Sequence, residues 1–221
     1  MPSAECREPR QAGAEPHIRL LVFDFGGVVC RFDYRIFCDR LASRCGREAD
    51  AILAAAFGNP LQAAFESGQV TGAEYHRAVM GALKAEVPYA DFRELYGDIF
   101  TEIPETVALL RGLHGRYPLY LLSDTNAIHF DHVRARIPAL ALFSECILSY
   151  RVGAMKPQPR IFQEALRRSG LPAEHCLFID DRLPNVEGAA RLGMRAVQYE
   201  SPAQLRSALR GLGIEPAGTP A

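Results

Sequence analysis

Lysine is nearly absent from this chain of 221 residues. Of its 25 basic residues only Lys84 and Lys156 are lysine, and the rest are arginine. A chain that otherwise avoids lysine keeps one where a compact ammonium on a flexible stem is needed. Lys84 falls in a helical pattern and reads as solvated, whereas Lys156 stands in the loop sequence "GAMKPQPR". Cysteine pairs of the C-x-x-C type are missing as well. Cys6, Cys30, Cys38, Cys45, Cys146 and Cys176 are scattered, with no Cys/His cluster at zinc spacing, so they read as structural thiols. Cys38 and Cys45, seven apart, fall on one helix face. No apolar run approaches the ~20 residues of a membrane helix, and "MPSAECREPRQAGAEPH" lacks the apolar stretch of a secretory signal. Net charge is only −1, with both signs mixed. That argues against nucleic-acid or membrane-surface binding by bulk charge, but an anionic small molecule needs only a few local charges. A soluble, cytoplasmic protein is expected, with its oligomeric state left open.

What is present is enough for a core. Apolar residues make up 48% of the chain, which suits one sizeable domain or a domain with an insert. Residues 1–16 are Pro-, Glu- and Arg-rich without periodicity and read as a disordered arm. Residues 18–23 then read as a buried strand. From about 34 to 116 the pattern is helical: Phe37, Leu41 and Cys45 fall four apart, and "TGAEYHRAVMGALK" opens on Thr71 with Glu74 three later, a capping box. "DFRELYGDIF" and "PETVALLRGLHG" continue in the same period. After that come four more apolar strands, "YPLYLLSD", "ECILSY", "HCLFIDD" and "MRAVQY". Helices alternate with them, ending in "SPAQLRSALRG" and a loose tail over 214–221.

Strands alternating with helices imply right-handed crossovers and a parallel α/β sheet. The helical stretch after the first strand is several times longer than the ~12 residues a crossover needs. Residues 33–97 are therefore expected to form a small helical cap, inserted into a core made of 17–32 and 98–213. In such sheets ligands bind beyond the carboxyl ends of the strands. The first strand ends in Asp24, followed by Gly26 and Gly27. The second ends in Ser123, Asp124, Thr125 and Asn126, the loop after the third holds Lys156, and the fourth ends in Asp180 and Asp181 with Asn185 behind. A single strand-end aspartate is usually a turn residue; several on one sheet edge call for chemistry. Adjacent carboxylates suit a hard divalent cation such as Mg²⁺. Metal, lysine, hydroxyl and an accessible aspartate together describe phosphoryl transfer through an aspartyl-phosphate.

"LLVFDFGGVV", "YLLSDTN", "GAMKPQPRIF" and "LFIDDRLPNVEGAARLGM", in that order over about residues 18–200, resemble the four motifs of the haloacid dehalogenase (HAD) superfamily. The resemblance implies a Rossmann-like core with a helical cap. It implies Asp24 as nucleophile and metal ligand, the Gly26 carbonyl and Asp181 as further Mg²⁺ ligands, and Ser123 with the Asp124 N–H as phosphate holders. Lys156 would bind phosphate and Asp24, Asp180 would sit behind the metal ligands, and Asn185 would support the loop. One departure stands out. Most phosphatases of the family carry a second aspartate, their general acid and base, where this chain has Gly26. General acid–base catalysis is worth ~10²–10⁴-fold, so substrates with easy leaving groups are expected. "DFGGVV", "LSDTNAIH" and "MKPQPRIF" are similar to a bacterial branch acting on α-glucose 1-phosphate, whose anomeric oxygen leaves more readily than an ordinary alcohol. The resemblance thus implies a Mg²⁺-dependent phosphatase of a small phosphomonoester. The alternatives are a non-catalytic binder of a phosphorylated ligand or partner, and a dehalogenase. His129, or less readily His132, could face substrate or replace the missing acid. Arg31 and Tyr34 fall at the cap hinge, while Phe57, Phe65 and Tyr75 read as cap core and His76 and His114 as packing residues.

Overall fold

In the computed structural model, which describes residues 17–217, the run "LLVF" is strand β1 (Leu20–Phe23). Leu21 and Phe23 enter one hydrophobic cluster, and Leu20 and Val22 enter another on the opposite face. Burial on both faces explains why the run shows no polar alternation. The chain turns at Gly27, whose φ of 83° favours glycine, and leaves the sheet through β2 (Cys30–Phe32). Five helices follow: α1 (Tyr34–Cys45), α2 (Ala49–Ala56), α3 (Pro60–Glu66), α4 (Gly72–Leu83) and α5 (Tyr89–Gly97). Strand β3 (Phe100–Glu102) returns antiparallel to β2, pairing Phe32 with Phe100 and Cys30 with Glu102. The two strands form a stalk beneath the helices.

The α/β alternation then runs through α6 (Pro104–Leu113), β4 (Leu119–Ser123), α7 (Ala127–Arg136), β5 (Glu145–Leu148), the short α8 (Ser149–Val152) and α9 (Pro159–Ser169). It closes with β6 (Cys176–Asp180), α10 (Leu183–Ala190), β7 (Arg195–Gln198) and α11 (Pro202–Gly211). The sheet is parallel with order β5-β4-β1-β6-β7. Local signals act where expected. Thr71 and Glu74 form the reciprocal capping box of α4, Ser201 caps α11 through the Gln204 N–H, and Gly170 ends α9 in the left-handed region.

The helices α1–α5 share a cluster of their own around Phe37, Phe65, Tyr75, Phe92 and Tyr96, which reaches Ile128 of α7. Phe57, Phe65 and Tyr75 are buried in it. Two expectations change. The helical pattern is not continuous to 116: α5 ends at Gly97, and three residues of strand follow before α6. A Cβ on Gly97 would lie 2.7 Å from His132 Cβ, so α5 and α7 approach each other closely there. The tail is also packed up to 217. Ile214 is buried, and the Ala217 N–H donates to Gly112 O at 2.8 Å. The arm 1–16 with Cys6, and the end of the tail, lie outside the described residues. The other five cysteines are free thiols. Among the described residues no helix is long and apolar enough to cross a membrane.

Candidate active site

Neighbouring strands lie ~4.8 Å apart. Because β4 and β6 flank β1, their carboxyl ends bring Asp24, Ser123–Asp124 and Asp180–Asp181 to one edge. Lys156 comes in from the loop between α8 and α9, its N–H donating to Asp124 Oδ1 at 2.9 Å. Its side chain is 1% exposed, and Nζ donates to Asp24 Oδ1 at 2.7 Å, Asp180 Oδ2 at 2.7 Å and Leu122 O at 3.2 Å. All three donors of one ammonium are used. The Asp24 carboxylate also accepts the Phe25 N–H at 2.7 Å.

Asp180 and Asp181 differ in kind. Asp180 is fully buried and accepts from Lys156 Nζ, from the Arg182 N–H at 2.8 Å, and from Asn185 Nδ2 at 3.0 and 3.1 Å. Its lone pairs are spent on holding the lysine and the β6–α10 turn. Asp181 Oδ1 is sealed from solvent and has no hydrogen-bond partner among the described residues. The carboxylates of Asp24, Asp180 and Asp181 nonetheless offer atoms within 4.8 Å of one another. Gly27 makes room for this, since a Cβ there would lie 2.4 Å from Asp181 Oδ2. A buried carboxylate oxygen without a donor, next to a second carboxylate, is what a hard cation satisfies.

Electrostatics follow from burial. Desolvation pushes the Asp24 carboxyl up against the pull of Lys156, with Asp180 adding to the rise. Burial alone would lower the Lys156 ammonium, but Asp24, Asp124 and Asp180 overcome it and hold it above its usual value. Asp181 is likewise raised, by burial and then by Asp180.

A cavity opens between this edge and the cap. Asp24, Gly26, Asp124, Lys156, Asp181 and Arg182 line it from the core, and Phe32, Tyr34 and Glu66 from the stalk and cap. A second, more apolar recess shares Gly26, Phe32, Tyr34, Glu66 and Asp124 and adds Ser123, His129, Phe100 and Phe130. Glu66, Phe32 and Arg182 were not singled out from the sequence. The signal for Glu66 was its one-turn spacing from Gln62 on an otherwise small, apolar helix; Gln62 Nε2 donates to Glu66 Oε1 at 2.8 Å.

The histidines separate. His129 lines the apolar recess, but it stacks on Tyr96 at 4.4 Å and 8° and meets Phe100 edge-on. Burial pushes its imidazole down to about 3, so it is neutral and a poor proton source. His132 pairs with Asp98 at 3.4 Å, away from the site. His76 and His114 bind the carbonyls of Val87 and Leu142. Arg31 is exposed on β2, and of the two hinge candidates only Tyr34 reaches the cavity.

A Rossmann-like sheet with an acidic, lysine-bridged edge and a helical insert after its first strand defines a hydrolase class. The chain belongs to the haloacid dehalogenase-like hydrolases, whose family matches residues 18–193. It is 26% identical to a D-ribitol-5-phosphate phosphatase of Bacteroides thetaiotaomicron, over 87% of this chain and 97% of that one. Among solved structures it superposes with a TM-score of 0.75 on a predicted HAD-like family hydrolase of Porphyromonas gingivalis, 27% identical, covering 90% of this chain and 98% of that one. A HAD family enzyme of B. thetaiotaomicron in complex with magnesium and inorganic phosphate superposes with a TM-score of 0.72 at 24% identity, covering 83% and 94%.

Proposed function

We propose that the chain is a Mg²⁺-dependent phosphatase of a small phosphomonoester, a sugar phosphate, acting through an aspartyl-phosphate on Asp24. The observation that carries this is the Lys156 ammonium bridging Asp24 and Asp180, with the unpartnered Asp181 oxygen beside them. Asp24, Asp181 and the Gly26 carbonyl would hold the cation, and Asp180, its oxygens already occupied, would stand behind them. Bound Mg²⁺ supplies positive charge that lets a phosphate dianion and a carboxylate approach each other. Asp24 attacks phosphorus, and Lys156 keeps its carboxylate oriented and draws in the phosphate. Ser123 and the Asp124 N–H hold the phosphate oxygens. The fold similarity to an enzyme crystallised with magnesium and phosphate agrees with this reading. The unpartnered Asp181 oxygen favours it over a metal-free dehalogenase.

Gly26 makes hexose 1-phosphates the first substrates to try, because their leaving group needs least help. The ribitol-5-phosphate relative favours a second choice, the terminal phosphate of an open-chain polyol. The test is phosphate release from p-nitrophenyl phosphate with and without Mg²⁺, by the wild type and Asp24→Asn, followed by both phosphate classes. Mg²⁺-dependent turnover that vanishes in Asp24→Asn is expected. Turnover unaffected by the mutation would end the nucleophile assignment, and none by the wild type would leave a binder.

A further inference from the structure

The space where an aspartate side chain would start at position 26 is occupied by Phe32, whose Cε1 lies 2.9 Å from the ideal Cβ. Across the same cavity the cap presents a carboxyl. We propose that Glu66, on α3 of the cap, is the general acid and base of this phosphatase, replacing the acid that Gly26 cannot provide. The proposal rests on the phosphatase reading above.

Four observations support it. Glu66 lines both the nucleophile cavity and the apolar recess beside it, so a leaving group between Asp24 and the cap meets it. Its Oε1 is held by Gln62, itself tied to Tyr34 Oη and to the Gly58 N–H. Its Oε2 has no hydrogen-bond partner among the described residues, so it is left for the cavity. Finally, the backbone beneath it is fastened to the core, because Ser149 Oγ lies 2.6 Å from Glu66 O. A Cβ on Gly68, two residues on, would lie 2.1 Å from Tyr150 O. The carboxyl is therefore held at a fixed depth although it belongs to the cap.

The competing groups are less suitable. Asp124 Oδ1 is taken by the Lys156 N–H, and His129 is neutral with its Nδ1 toward Asn126. Burial raises Glu66 to about 7, opposed by Gln62 and Arg182 and helped by Asp124. A carboxyl in that range can both give and take a proton near neutrality.

In the first step Asp24 attacks phosphorus, the bond from phosphorus to the leaving oxygen breaks, and the Glu66 proton passes to that oxygen, releasing the alcohol. In the second step water attacks the aspartyl-phosphate. Glu66 takes the proton of that water, the phosphorus–Asp24 bond breaks, and phosphate leaves with both carboxyl groups restored to their starting states.

The test compares Glu66→Gln with the wild type on p-nitrophenyl phosphate and on a polyol phosphate with an alkyl leaving group, at saturating Mg²⁺. The glutamine keeps the shape, and its reaction with p-nitrophenyl phosphate reports the fold. For the alkyl phosphate, kcat/KM should fall on the order of 10²–10⁴-fold. For p-nitrophenyl phosphate, kcat/KM should hardly change, because that leaving group needs no proton. Its kcat should drop and a burst of p-nitrophenol appear, since breakdown of the intermediate loses its base. Equal loss of kcat/KM on both substrates, or no change on either, would overturn the proposal. So would a wild type that turns over p-nitrophenyl phosphate but no alkyl phosphate. A wild type inactive on p-nitrophenyl phosphate would instead remove the phosphatase reading itself, and the proposal with it.

Discussion

Ser149, the first residue of α8, places its hydroxyl 2.6 Å from the carbonyl of Glu66, 83 positions earlier in the chain and on the other side of the cleft. The same oxygen lies 2.9 Å from Thr125 O and accepts the Thr125 N–H at 2.8 Å. One buried hydroxyl thus ties the cap to the loop after β4. Ser149→Ala should cost ~1–3 kcal/mol, because buried acceptors lose their donor. It should also reduce kcat on alkyl phosphates more than on p-nitrophenyl phosphate. Chemical denaturation and parallel kinetics on the two substrates would check both effects.

Lys156→Met should destabilise the fold by ~3–5 kcal/mol, as expected when a buried ion pair loses one partner. It leaves Asp24 and Asp180 facing each other without the ammonium that joins them. Added Mg²⁺ should recover part of the loss by supplying charge nearby. Urea unfolding with and without Mg²⁺ measures it, and an unchanged midpoint would contradict the bridging role.

Gly27→Ala should raise the Mg²⁺ concentration needed for half-maximal activity on the order of 10-fold, the effect typical of disturbing a metal ligand's support. The added methyl would meet the Asp181 carboxylate at 2.4 Å in a backbone conformation that L residues avoid. A magnesium titration of activity gives the answer. The same titration in Gly26→Ala should show a smaller change, since that Cβ meets only the Phe32 ring.

Gly26→Asp should destabilise by ~1–3 kcal/mol, the usual cost of overpacking. It should help alkyl-phosphate turnover only when Phe32→Ala is added. The ring is 44% exposed and packs against Tyr34 and Phe100, so removing it opens the space at some cost in packing. A double-mutant cycle in kcat/KM separates the two contributions.

Stability should depend on pH in two opposing ways. Glu66 is raised from 4.5 to about 7 by burial. It therefore favours the folded state below 4.5, and that contribution is lost as pH rises through 7. His129 is lowered from 6.5 to about 3, again by burial. It favours the folded state above 6.5, and its contribution is lost as pH falls towards 3. Between 4.5 and 6.5 the two slopes oppose each other. Glu66→Gln removes the first, so its Tm relative to the wild type should climb as pH rises from 4.5 to 7. Thermal melts across that range test the sign.

The strand ends were legible because chemistry and periodicity coincide there. An aspartate closing a buried run, a loop lysine in a chain with almost none, and an aspartate pair followed by asparagine are all local signals. The division of labour between Asp180 and Asp181 came from the family resemblance alone, and the residues themselves do not carry it, since it depends on which oxygens find donors after folding. Glu66 was missed for a related reason: its importance comes from docking α3 against α8, and no local pattern encodes a contact between positions 66 and 149. Three-residue strands such as β2 and β3 are too short to show a period. His129 looked exposed to substrate from its place after Ser123, but Tyr96, 33 residues earlier, covers it.

The scarcity of lysine has a practical side. Lys156 is sealed and bound on every donor, so amine-reactive reagents should pass it by. Lys84 is exposed at the C-terminal end of α4, on the cap. Apart from the chain's amino terminus, it is the one side-chain amine a dye can reach. The unaltered protein therefore accepts a single side-chain fluorophore, on its cap, without introducing a cysteine or removing any.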